Sequence, residues 1–270
     1  MGTTSTARLS AKLEKCEKVL ATYIGQCAPV QFAQAYGASG VDMAIIDMEH
    51  GPFNPENVGD FAVACNAANF PVIARIQDCE YHCISKCIDQ GCDGILVPRT
   101  ETLEQVELAI ASMRFHPVGR KGVGGRACLR GDSVDEFNKK RLIFIQIESP
   151  KGADMLDEIL TKYGHEIAGI IIGPSDMSIM CGCPLVYDDE RILACIHKTV
   201  AVAGAHGKSV GMFMNDLAEA KTWYGRGMNI FWTAPETYCM QVGLSALAAG
   251  VAAFDDEGTE AAAGGASIYG

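Results

Sequence analysis

The chemistry-bearing residues of this chain sit where its apolar runs stop. Asp47, Glu49 and His50 follow Met43-Ala44-Ile45-Ile46, Arg75 closes Pro71-Val72-Ile73-Ala74, and Arg99 follows Gly94-Ile95-Leu96-Val97-Pro98. Gln146 and Glu148 end the run that begins Leu142-Ile143-Phe144-Ile145. Ser175 and Asp176 come after Ile167-Ala168-Gly169-Ile170-Ile171-Ile172 and the pair Gly173-Pro174. Glu148 and Asp176 are hard oxygen donors of the kind that seat Mg²⁺ or Mn²⁺. The arginines suit an anionic substrate, and His50 is a candidate base. Together they form a kit for holding an oxyanion or enolate on a divalent metal. Each has a plainer reading alone: strand-end carboxylates, a helix cap at Asp176, a capping role for His50, an ion pair for Arg75.

That kit works only if the runs end on one side of the fold. Residues 142–148 and 167–176 flank a segment with apolar residues at helical spacing, a strand–helix–strand pattern. A right-handed crossover makes such strands parallel and brings Glu148 and Asp176 out together. The same rhythm runs through the chain. Strands are expected at 19–24, 43–47, 71–76, 94–99, 142–147, 167–172, 209–214 and 229–234. Helices are expected at 9–18, 29–36, 57–66, 81–90, 103–113, 154–160, 190–203, 217–224 and 238–254. Only 115–132, rich in glycine and arginine, lacks periodicity, as a functional or mobile loop does. Eight strands alternating with helices define an α/β chain of the (β/α)₈ type, with a doubly wound sheet as the alternative. No Gly-x-Gly-x-x-Gly follows the first strand, which argues against dinucleotide binding. The expected organisation is one barrel over 1–257 and a Gly/Ala-rich tail over 258–270.

Bulk properties narrow the partners. The formal net charge of −11 argues against nucleic acid or an anionic membrane surface. The apolar runs are strand-sized, so no transmembrane helix is expected, and residues 1–18 are too polar for a signal peptide. Twelve cysteines without an export signal point to reduced thiols in the cytoplasm. Cys79, Cys83 and Cys87 recur at i, i+4 and i+8, a buried small-residue stripe rather than a metal cluster, despite His82 and Cys92 nearby. Cys181 and Cys183 are read the same way. No lysine lies inside the third to eighth strands, which disfavours a Schiff base.

Six ordered segments carry a resemblance: Ile46-Asp47-Met48-Glu49-His50-Gly51-Pro52, Pro71-Val72-Ile73-Ala74-Arg75, Gly94-Ile95-Leu96-Val97-Pro98, Gly119-Arg120-Lys121-Gly122-Val123-Gly124, Gln146-Ile147-Glu148-Ser149 and Ile172-Gly173-Pro174-Ser175-Asp176-Met177-Ser178. In order and spacing the chain resembles, across 19–249, the HpcH/HpaI family of class II, metal-dependent pyruvate aldolases. The resemblance implies a TIM barrel of the phosphoenolpyruvate/pyruvate type, its last helix swapped between neighbours in a homohexamer. It implies a lyase that reversibly cleaves a 4-hydroxy-2-oxo acid to pyruvate and an aldehyde. By that resemblance Glu148 and Asp176 match the ligands of Mg²⁺ or Mn²⁺, with Co²⁺ as a further option. Arg75 matches the arginine at the keto oxygen, His50 the base and Asp89 its acidic partner. Gln146, Gly173, Pro174 and Ser175 match pyruvate contacts, Phe213 joins the substrate wall, and Asp47 matches a second rim acid on the aldehyde side. Lys121 stands where several members place an arginine for the distal acid, and lysine lacks its planar two-point grip. Met48 stands beside the pocket where glycine or threonine is common. Both departures concern the aldehyde half. Rival readings are an oxaloacetate decarboxylase, a bond-forming synthase like macrophomate synthase, an acyl-CoA lyase, and a catalytically silent barrel that binds a keto acid.

Overall fold

The structure is a computed structural model that describes residues 5–214 and 216–254. In chain order the elements are α1 (Ser5–Glu14), β1 (Val19–Ile24), α2 (Phe32–Ala38), β2 (Met43–Asp47), α3 (Pro55–Ala67), β3 (Val72–Arg75), α4 (Tyr81–Asp89) and β4 (Gly94–Val97). Then come α5 (Leu103–Met113), α6 (Val134–Lys140), β5 (Leu142–Ile147), α7 (Pro150–Tyr163), β6 (Ile167–Ile172), α8 (Pro174–Met180) and α9 (Glu190–Ala205). The series closes with β7 (Val210–Met214), α10 (Leu217–Tyr224), β8 (Ile230–Pro235) and α11 (Glu236–Ala252). The strands form a closed barrel in sequence order, β8 pairing back to β1. All eight expected strands are present, and the barrel replaces the doubly wound alternative.

Local chemistry explains the helix starts. Asn54 accepts N–H bonds from Glu56 and Asn57 ahead of Pro55 at the head of α3. Thr102 and Gln105 make a reciprocal capping box on α5, and Ser133 and Glu136 make another on α6. Helices α6 and α8 were not expected from apolar periodicity, because each is seven residues long and too short to show a period. The stretch 115–132 is irregular as expected, apart from a 3₁₀ turn at Arg126–Leu129.

Two apolar layers hold the barrel. Inside it, Val19, Ala21, Met43, Ile45, Ile73, Leu96, Leu142, Phe144, Ile171, Ile230 and Trp232 pack together, and Leu9 and Leu13 of α1 plug the end where the strands begin. The second layer lies between strands and outer helices and includes Phe61, Ile84, Cys87, Ile110, Leu156 and Ile196. Cys79 and Cys87 of the stripe are buried, and no disulfide joins the twelve cysteines. Met48 belongs to this outer layer, its Sδ 3.4 Å from Cys87 Sγ. It therefore faces the helices and not the pocket, a correction to the expected position.

The chain divides into two compact units, residues 1–236 and 237–270. The first is the barrel. Within the second, α11 exposes Met240, Leu244, Leu247 and Val251. The expected tail over 258–270 lies outside the described residues. No helix among the described residues is long and apolar enough to cross a membrane.

Candidate functional site

Strand alternation decides what reaches the mouth. Residues 19, 21 and 23 of β1, 43, 45 and 47 of β2, 73 and 75 of β3, and 230 and 232 of β8 share one parity, and their lower members fill the barrel interior. One step further toward the C-terminal ends, the same parity presents Tyr23, Asp47, Arg75, Gln146, Glu148, Gly173, Phe213 and Trp232. The cavity there has a volume of about 280 Å³. Its lining is Tyr23, His50, Arg75, Gln146, Ile172, Gly173, Pro174, Ser175, Asp176, Phe213 and Trp232.

Asp47 and Arg75 form the rigid part. Asp47 Oδ1 accepts from Arg75 Nε at 2.8 Å, and Oδ2 accepts from Arg75 Nη2 at 2.6 Å. The Tyr23 hydroxyl donates to Oδ2 at 2.7 Å, and the backbone N–H groups of Glu49 and His50 donate to Oδ1. Burial alone would push the Asp47 carboxyl up, but the Arg75 guanidinium and these donors outweigh it and hold it below the usual range. The same interaction pushes the Tyr23 hydroxyl up, burial first and the Asp47 acceptor second. Asp47 is 0 % exposed with both oxygens occupied, so it is no rim acid for substrate, as had been expected. It fixes the direction of Arg75.

Glu148 is a second buried carboxylate of the site. Its Oε1 accepts the Arg99 backbone N–H at 2.6 Å, and it makes no ion pair among the described residues. Arg99 carries φ +47°, an uncommon conformation for a residue with a side chain and one that clusters at functional sites. Burial pushes Glu148 up to about 7; the Arg99 N–H opposes this, while the charges of Asp176 and Glu49 add to it. Asp176 lies exposed in the first turn of α8. A Cβ at Gly173 would run into Glu148 Oε2 and Gln146 Nε2, so only glycine lets these groups approach the backbone. Gln146 Oε1 and Trp232 Nε1 are buried without a hydrogen-bond partner among the described residues.

The donor set fits a divalent cation. Glu148 and Asp176 repel each other, which a cation between carboxylates relieves, and their oxygens are the ligands that Mg²⁺ or Mn²⁺ prefers. No group of three or more His, Cys, Asp or Glu residues among the described residues could form a closed cage. Two carboxylates leave coordination positions open, as a substrate-binding metal site needs.

His50 stands at the rim, its side chain 64 % exposed and its Nε2 3.9 Å from Glu49 Oε2. Glu49 in turn lies 3.5 Å from Arg75 Nη1 and 3.6 Å from Arg99 Nε. Asp89 is not at His50. Its Oδ1 accepts from Lys121 Nζ at 2.5 Å, and Lys121 also donates to Ser85 Oγ at 3.3 Å. The Lys121 side chain is fully buried, and a buried ammonium must keep its counter-charge. That need ties Asp89 to Lys121, and neither residue is in the lining of the cavity. Gln146, Gly173, Pro174, Ser175 and Phe213 line the cavity. Sequence reasoning overlooked Tyr23 and Trp232. Their inward parity on β1 and β8 was the available signal.

Tyr23, Phe213 and Trp232 pack edge to face, with ring centroids 5.4 to 5.9 Å apart. The Arg75 guanidinium sits 5.4 Å from the Trp232 ring. The aromatic side chains thus come from the neighbouring strands β7, β8 and β1.

Residues 26–238 match the model of the family described as HpcH/HpaI aldolase/citrate lyase. The chain is 32 % identical over 191 residues to the hydroxypyruvate/pyruvate aldolase of Roseobacter denitrificans, covering 68 % of this chain and 73 % of that protein. It is 31 % identical over 195 residues to the 5-keto-4-deoxy-D-glucarate aldolase of Escherichia coli K12, covering 70 % and 75 %. Among solved structures, an HpcH/HpaI aldolase from Desulfitobacterium hafniense superposes with a TM-score of 0.81 at 22 % identity, covering 93 % of this chain and 99 % of the other. Macrophomate synthase shares the fold with a TM-score of 0.73 at 22 % identity, covering 92 % and 88 %.

Proposed function

The chain belongs to the HpcH/HpaI aldolase/citrate lyase family and is a carbon–carbon lyase, and we propose that it reversibly cleaves a 4-hydroxy-2-oxo acid to pyruvate and an aldehyde. The observation that carries this reading is the Asp47–Arg75 pair held beside Glu148, a fixed cation next to a buried carboxylate that burial and like charge keep protonation-prone. Glu148 and Asp176 would hold Mg²⁺ or Mn²⁺, which supplies Lewis-acid polarisation of a 2-keto group. Asp47 occupies Nε and one Nη2 hydrogen of Arg75, and Arg75 lines the cavity with guanidinium N–H groups left for the keto oxygen. A charge-assisted hydrogen bond there strengthens as the oxygen becomes an enolate. His50 takes the C4-hydroxyl proton as the C3–C4 bond breaks and returns it in the condensation direction. Glu49, with Oε2 3.9 Å from His50 Nε2, is a carboxylate neighbour of that base. The aromatic arc of Tyr23, Phe213 and Trp232 gives the aldehyde half an uncharged wall.

The chain acts as a homo-oligomer, a hexamer on the family pattern, in which α11 of one copy covers another. Support comes from each unit taken alone. The barrel has an apolar groove of about 470 Å³ on its outer face, lined by Leu20, Met214, Leu217, Tyr224 and Phe231, and α11 carries exposed apolar residues.

The test is pyruvate release from a panel of 4-hydroxy-2-oxo acids, with and without EDTA and added Mn²⁺ or Mg²⁺. Expected is activity that vanishes with EDTA, returns with metal and is absent in Glu148→Ala. Pyruvate that persists in EDTA would overturn the metal-assisted reading. Failure with every hydroxy-oxo acid, with oxaloacetate decarboxylated instead, would move the reaction to the decarboxylase alternative.

A further inference from the structure

The opposite end of the barrel holds a second polar cavity that the lyase reaction does not use. It has a volume of about 140 Å³, room for four or five waters. Arg114, Lys139, Arg141 and Lys208 line it, with Glu14 and Glu166 as the acids. Glu166 is already engaged by Arg114 Nε at 2.9 Å. Lys208 Nζ donates to the Ile167 carbonyl at 3.1 Å. In an acidic chain this is a local excess of positive charge.

Arg141 is the anomaly. Its side chain is 3 % exposed, and Nε and Nη2 have no hydrogen-bond partner among the described residues. Asp132 Oδ2 lies 3.7 Å from Nη2, beyond hydrogen-bond reach. The guanidinium stacks on Phe137, 4.4 Å from the ring centre, which satisfies its face but not its N–H edge. Burial pushes Arg141 down to about 10, and Arg130 adds to this. Burial pushes Lys208 down as well. The long Asp132 ion pair is the one close counter-charge given to Arg141 among the described residues, and a buried guanidinium with unmade hydrogen bonds is destabilising, a loss that an anion supplying the missing acceptors recovers.

A neighbouring cavity on the other side of Arg141 offers a contrast. There Asp93 takes Arg130 at 3.2 Å and Asp132 takes Lys140 at 2.5 Å, with Arg141 Nη2 a further 3.7 Å from Asp132, so both of its acids are already engaged by cations. The excess lies on the Arg114–Lys208 side.

We propose that this cavity at the N-terminal end of the barrel is a binding site for a phosphate group, free or as a small monoester, held by Arg141, Lys208, Lys139 and Arg114. Phosphate is favoured over a planar carboxylate because the cations arrive from separate elements: Arg114 after α5, Lys139 in α6, Arg141 before β5 and Lys208 before β7. Donors spread in this way match a tetrahedral anion, and guanidinium forks bind phosphate oxygens well. The site is stabilising rather than catalytic, since the chemistry of a barrel lies at the other end.

The test is calorimetric titration of the full chain with inorganic phosphate, glycerol phosphate and succinate, paired with thermal melts in phosphate-free buffer. Saturable binding is expected for phosphate or the monoester, at least tenfold tighter than for succinate. A concentration ten times the dissociation constant should raise the melting midpoint by about 3 °C. Lys139→Gln/Lys208→Gln should weaken binding at least tenfold. Arg141→Met should melt no lower than the parent in phosphate-free buffer and lose the phosphate-induced rise. A monoester that binds tighter than phosphate assigns the site to a phosphorylated metabolite; the reverse assigns it to the free ion. Absence of saturable binding, equal binding by succinate, or unchanged binding in the double lysine variant would overturn the proposal.

Discussion

The two ends of the barrel each bury one charge that the chain itself leaves under-compensated, and the signs are opposite. At the mouth Glu148 is a buried carboxylate that accepts one backbone N–H and feels two further acids. At the base Arg141 is a buried guanidinium with an unsatisfied edge. Beside each lies an internally settled pair: Asp47–Arg75 at the mouth, Asp132–Lys140 at the base. The settled pairs build the frame. In the readings proposed above, the unsettled charges set the sign of the ligand, a cation at one end and an anion at the other.

The strongest way to break this contrast is at Glu148. Glu148→Gln keeps shape and removes the charge, and turnover should fall about 10³-fold, read as kcat in metal-saturated assays. Retained activity would mean that Glu148 holds no metal. Asp47→Ala attacks the settled pair instead. It should lower kcat/KM by about 10²-fold by freeing Arg75, and destabilise by about 3–5 kcal/mol in chemical denaturation because Arg75 stays buried without its partner. A loss of stability with kcat/KM intact would show that Arg75 is a frame residue only.

The pH dependence sharpens the comparison. Glu148 has its folded pKa raised to about 7 from the ordinary 4.5. Between those values the folded state binds more protons than the unfolded one, so metal-free stability falls as pH rises from about 4.5 to about 7 and then levels. The difference in melting midpoint between the parent and Glu148→Gln should trace that window, and added Mn²⁺ should restore stability most at and above pH 7. A difference that stays flat with pH would refute the unsettled-carboxylate reading.

Asp89→Ala should cost about 2 kcal/mol by stranding the Lys121 ammonium, with kcat within about threefold of the parent. A larger fall in kcat, or a KM change confined to acid-bearing aldehydes in Lys121→Met, would return these residues to the substrate. The smallest effect is expected at Trp232→Phe, which removes the unpartnered Nε1–H and keeps the aromatic wall. Stability should change by less than about 1 kcal/mol and KM by about twofold. A tenfold KM change would make that N–H a substrate contact.

Much of this was legible in the chain. Apolar runs of strand length ending on Asp47, Arg75 and Glu148 place those residues at one rim once the strands are parallel, because side chains alternate and crossovers have one hand. Short helices such as α6 and α8 escaped periodicity, although the Ser133–Glu136 capping box and Pro174 marked their starts. Which acid serves which base was not legible. Asp89 and Lys121 are 32 residues apart in sequence and became partners because Lys121 folded into the protein interior, where an ammonium must keep a counter-charge. Asp47 reads as a rim acid in one dimension, yet closing the barrel set Arg75 and Tyr23 against both its oxygens. The order of strands, the parity of their faces and the inventory of reactive groups follow from local pattern and covalent geometry. The pairing of charges, and hence which were left for ligands at either end, follows from burial, which exists only once the barrel closes.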